Sequence, residues 1–145
     1  MDTLTIDYDD KNFEKKFVAS LHHTGFAVIN NHPINQNLIN EVYDDWNFFF
    51  KSEKKHDYLF SYEKQDGYFP FKSENAYNSK RKDLKEFFHI YLPWGRYPDF
   101  ISKKTLDLFS DLIFFGDILL RSIDSYSPIE IRKKYTEPLD EMSKS

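Results

Sequence analysis

The chain has 145 residues, a formal net charge of −4, no cysteine, and aromatic side chains at 19% of its positions. The acidic balance lacks the basic footprint of a nucleic-acid binder, and the absence of cysteine removes disulfides and thiolate metal sites. A chain this rich in Phe and Tyr is not disordered, and its length suits one domain, residues 1–145, with an aromatic-rich core.

From the N-terminus, Met1-Asp2-Thr3-Leu4 carries no basic region ahead of an apolar one, so no secretory signal is read. Leu4-Thr5-Ile6-Asp7 alternates as a short strand. A helix follows, with Asp9 or Asp10 as its cap and Phe13, Phe17 and Leu21 recurring every fourth residue. It ends near His23, because Gly25 can take the positive φ of a helix stop. Phe26 to Asn30 reads as a strand apolar on both faces, with Phe26 in the core. Asn31-His32-Pro33 turns the chain into a second helix, capped by Asn35 or Asn37 and reaching about Phe50, with Trp46 on its apolar stripe.

Ser52 to Tyr62 is charged, one or two helical turns and a loop. Gly67 to Phe71 reads as an edge strand, since Pro70 cannot donate to a ladder. Residues 72–84 form a polar loop, and Phe87 to Leu92 a strand stopped by Pro93 and Gly95. Ser102 caps the longest helix, about 103–125, with Leu106, Phe109, Ile113, Leu120 and Ile123 on its apolar face. Asp107, Asp111, Asp117 and Arg121 interrupt that stretch, so it is not a membrane span. Pro128 starts a short helix, and a polar tail follows Pro138. These readings give a soluble, cytoplasmic chain of α+β class.

Several motifs share one order with a known family. They are Gly25-Phe26-Ala27-Val28-Ile29-Asn30-Asn31-His32, then Phe49-Phe50 followed by Lys54, then Gly67-Tyr68, then Asp83-Leu84-Lys85-Glu86-Phe87-Phe88. Together they resemble the N-terminal region of the isopenicillin N synthase-like Fe(II)/2-oxoglutarate oxygenases. The resemblance implies a mainly helical region with a few short strands, which in the family braces a double-stranded β-helix barrel. It further implies Fe(II) and 2-oxoglutarate in a full-length enzyme that hydroxylates, desaturates or closes a ring on a small molecule. Some relatives dispense with 2-oxoglutarate.

The catalytic motifs of that family are absent. Its iron is held by His-x-Asp and a distal His, a facial triad with open positions. The histidines here, His22, His23, His32, His56 and His89, are followed two residues on by Thr24, Gly25, Ile34, Tyr58 and Tyr91. Its co-substrate is forked by an Arg-x-Ser. Here Arg81, Arg96, Arg121 and Arg132 precede Asp83, Pro98, Ile123 and Lys134 at that spacing. The strands of a barrel are missing too, so the chain is read as a truncated member.

No catalytic, cofactor or metal residue is therefore expected, and the chain alone is expected to be inactive and to bind no Fe(II). His56-Asp57 reads as a solvated pair, His22-His23 as a helix end complementing its dipole, and His32 as a turn residue. The candidate substrate-binding residues are Tyr68, near the mouth of the active site in the family, and Arg81 and Lys82, able to hold a carboxylate. Gln65 and Asp66 stand where some members carry a basic residue. The expected partner is a small-molecule substrate in a full-length enzyme, with no nucleic acid and no membrane. Uncovered strand edges are expected to drive self-association. The alternative is a stand-alone interaction module sharing the helix–strand–helix unit.

Overall fold

A computed structural model describes residues 4–75, 81–139 and 141. Parts of the expected loop (76–80) and of the tail (140 and 142–145) lie outside the described residues. The chain forms two compact units, one drawn from Met1–Ile39 and Lys104–Ser145, the other from Asn40–Lys103.

In the first unit, β1 (Thr5–Asp7) and β2 (Val28–Asn30) pair in parallel, with Ile6 opposite Ile29. Parallel neighbours need a crossover, and α1 (Phe13–Thr24) supplies it. Asp10 accepts from the Asn12 N–H at 2.8 Å, turning the chain just before the helix, while Asn12 holds the cap position itself. Gly25, at φ 77°, closes the helix by donating its N–H to the Leu21 carbonyl. The core gathers Ile6, Phe13, Phe17 and Val18, with Ala27, Ile29, Leu119 and Ile123 against it. The last two belong to α3 (Lys104–Tyr126), which packs on α1. Pro128 precedes α4 (Ile129–Arg132).

Two core assignments need correction. Phe26 is 70% exposed. Ser20 Oγ and Thr24 Oγ1 donate to its carbonyl, and Thr24 Oγ1 accepts its N–H. This pins the backbone so that Ala27 and Ile29, not Phe26 and Val28, pack inward. On α3 the buried stripe runs through Phe115, Leu119, Ser122 and Ile123, not through Phe109 and Ile113, which are exposed. Phe115 meets Tyr8 edge-on at 5.6 Å.

Helix α2 (Gln36–Lys51) is capped by Asn35, whose Oδ1 accepts from the Asn37 N–H at 2.9 Å. It leads into the second unit. Ser52 then caps a 3₁₀ segment, Glu53–Tyr58. Strands β3 (Gly67–Phe69) and β4 (Phe87–His89) pair antiparallel, with Tyr68 opposite Phe88. Their core is aromatic, as the composition suggests. Phe49 is fully buried, with Tyr68 and Ile101 beside it and Trp46, Phe50, Tyr58, Phe88, Tyr97 and Phe100 packed around. Trp46 touches the Phe49, Phe50 and Phe88 rings and is a core residue, as its stripe implies. Ser102 Oγ donates to the Asp45 carboxylate. Among the described residues the strands form these two pairs and no closed barrel.

Candidate functional site

The second unit brings three separate motif segments to one point. Phe49 and Phe50 come from α2, Tyr68 from β3, and Glu86 and Phe88 from the segment entering β4. Tyr68 is 2% exposed, and its hydroxyl donates to Glu86 Oε2. Lys55 Nζ donates to the same oxygen at 2.9 Å and to the Phe50 carbonyl at 2.7 Å, lying 5.3 Å from the Tyr68 ring centroid. Burial alone pushes the Glu86 carboxyl up, but the hydrogen bonds from Tyr68 and Lys55 outweigh it and hold the group below the usual range. Burial, with the bond to Glu86, pushes the Tyr68 phenol up. The bond to Glu86 likewise raises Lys55. All three stay in their ordinary neutral-pH forms, which describes a clamp and not an acid–base pair.

A second clamp fixes the turn before β3. Asp66 is fully buried and receives the backbone N–H of Arg96 and its Nε, the latter at 3.0 Å. Burial raises that carboxyl, and the Arg96 bonds overcome it and lower it. Arg96 also donates to the Leu59 carbonyl at 2.7 Å. Gly67 sits inside this knot at φ 110°, where an added Cβ would lie 2.5 Å from the Tyr58 backbone carbonyl oxygen and 2.6 Å from the Arg96 guanidinium. The motif glycine is therefore required twice, by its dihedral and by close approach. Tyr58 donates its hydroxyl to Asp99 at 2.9 Å, closing the same region.

Beside Tyr68 lies a cavity of about 550 Å³, within the size range of small-molecule sites. Phe60, Phe69, His89 and Tyr91 supply rings to its wall, and Gln65 and Glu74 supply polar groups. Of the residues expected from sequence, Tyr68 lines this cavity, its hydroxyl already engaged by Glu86. Lys82 is exposed and donates to the carbonyl of Ser73, on the cavity's edge, at 3.4 Å, and to Asn75 Oδ1 at 3.3 Å. Arg81 is exposed on the neighbouring position. The structure thus brings Tyr68 and Lys82 to one region. The sequence does not mark Lys55, Asp66, Glu74, Glu86 or Arg96 as site residues, although Glu86 lies within the Asp83–Phe88 motif and Lys55 directly follows the motif residue Lys54.

The histidines are scattered. His22 and His23 meet edge to face at the end of α1, beside a mostly apolar groove of the first unit. His56 packs its ring on Tyr68 at 5.6 Å, and His89 packs on Phe69 at 4.8 Å. Nδ1 of His32 is buried without a hydrogen-bond partner. Among the described residues no three His, Asp or Glu side chains converge on a point that could hold a metal ion. These described residues do not fit an Fe(II) centre. No described helix is long and apolar enough to cross a membrane.

Comparison with known proteins accords with this geometry. A family model, non-haem dioxygenase in morphine synthesis N-terminal, matches residues 2–105. A provisionally named oxygenase from Shewanella oneidensis is 41% identical, with a TM-score of 0.86 over 98% of this chain and 49% of its own. A provisionally named 2OG-Fe(II) oxygenase family protein from Caulobacter crescentus is 26% identical, with a TM-score of 0.68 over 85% of this chain and 48% of its own. The chain thus spans about half the length of these two solved structures. No curated protein matches it.

Proposed function

The chain belongs to the family of non-haem dioxygenase N-terminal regions, and from that membership we propose that it serves as the N-terminal portion of a 2-oxoglutarate/Fe(II) oxygenase acting on a small molecule. The observation that carries this reading is the 41% identity that runs through nearly all of this chain yet reaches only half of the Shewanella oneidensis oxygenase. The two units together make one N-terminal domain, and the metal-binding and co-substrate residues belong to the remaining portion of such an enzyme. Hydroxylation, desaturation or ring closure is the reaction class. The cysteine-free composition supports a cytoplasmic setting.

Within that enzyme, this portion braces the catalytic part and shapes the substrate's approach. Tyr68 serves as a wall of the approach, its phenol locked to Glu86 so that the ring keeps one position. Lys82 steadies the Ser73–Asn75 loop at the rim, and Arg81 stands on the solvent side. Function then rests on positioning, which precise shape supplies.

The test is a chimaera that joins this chain to the unmatched portion of the Shewanella oneidensis relative. With Fe(II) and 2-oxoglutarate, the chimaera is expected to consume dioxygen and form succinate. A soluble, folded chimaera that does neither, beside an active relative, would contradict the reading.

A further inference from the structure

The cavity beside Tyr68 has a lining whose chemistry selects a ligand. Its rings come from Phe60, Tyr62, Phe69, His89 and Tyr91, and the faces of the Phe and Tyr rings are negative. Three charged groups near it have partners: Glu86 is matched by Lys55, Asp66 by Arg96, and Lys82 by the Ser73 carbonyl and Asn75. Glu74 differs. It is half-buried on the lining, its backbone carbonyl accepts from the Asp83 N–H at 2.9 Å, and its carboxylate has no ion pair or hydrogen bond among the described residues. Aromatic faces beside an unmatched carboxylate attract a cation and repel an anion.

We propose that this cavity binds a small organic cation, an ammonium or quaternary ammonium group seated among the rings and facing Glu74. The volume of about 550 Å³ accepts a molecule several times the size of a trimethylammonium group. Lys82 sits at the rim, and its two hydrogen bonds hold its ammonium on the loop. As the site of an oxygenase substrate the proposal rests on the function proposed above, while the binding itself does not.

Choline and its neutral isostere 3,3-dimethylbutan-1-ol separate charge from shape. Each is titrated into the 145-residue chain by amide chemical-shift mapping. Choline is expected to saturate, moving the amides of His89, Tyr91 and Glu74, and the isostere to bind about tenfold more weakly. Glu74→Gln is expected to cost about tenfold in choline affinity, and Tyr91→Leu a similar factor, with unchanged circular dichroism. Equal binding of the isostere, undiminished choline affinity in Glu74→Gln, or no saturation by choline overturns the proposal. So does saturable binding of acetate that is lost in Lys82→Gln, which would assign the cavity to an anion. These outcomes involve no oxygen chemistry, so they stay distinct from failure of the chimaera.

Discussion

At the scale of single residues, the family motifs turn out to encode clamps. Gly67 is the sharpest case, because Ala there meets both a forbidden dihedral and two occupied positions. Gly67→Ala is expected to cost about 2–4 kcal/mol, read as a lowered urea midpoint. A midpoint equal to the parent's would show that the knot of Tyr58, Asp66 and Arg96 relaxes freely. The carboxylates predict a pH profile. Glu86 and Asp66 are held below their ordinary 4.5 and 3.8, so their stabilisation is complete above those values and drains away as pH falls through them and below. Lys55 is raised above 10.5, so its share is complete below that value and is lost only as pH rises through the folded pKa. Stability is therefore expected to be flat near neutrality and to fall in acid. Glu86→Gln should make the acid decline shallower. An identical acid decline in that variant would remove Glu86 from the account.

At the scale of elements, the legible features were the ones settled within a few residues. Gly25 stopping α1, Asn35 capping α2 and Pro128 opening α4 each depend on local backbone groups. Pairings across long separations were not legible. Nothing in the spacing of Lys55 and Glu86, or of Asp66 and Arg96, marks them as partners before the chain folds. Apolar periodicity also misled, because it assumes that every apolar residue faces this chain's own core. Phe26 turns outward under the hold of Ser20 and Thr24, and α3 presents Phe109, Leu112, Ile113 and Phe114 to solvent. The contrast is measurable. Trp46→Ala, within the aromatic core, is expected to cost about 3–5 kcal/mol, while Phe26→Ala stays within about 1 kcal/mol. Thermal melts that ranked the two in the opposite order would overturn the placement of both.

At the scale of the whole molecule, the proposed function connects the exposed stripe on α3 with the half-length match to the oxygenases. Exposed contiguous apolar surface marks an interaction site, and under the function proposed above the remaining portion of the oxygenase would supply the cover. The account expects the chain alone to bind a hydrophobic dye and to self-associate as concentration rises, with Leu112→Lys weakening both. A dye-silent monomer at high concentration would favour the module instead. The most direct measurement mixes this chain with the separately expressed, unmatched portion of the Shewanella oneidensis oxygenase and follows both by sedimentation velocity. A one-to-one complex that suppresses dye binding is the expected result. No complex, under conditions where that portion does join its own N-terminal half, would contradict the assignment of this chain as an oxygenase's N-terminal portion.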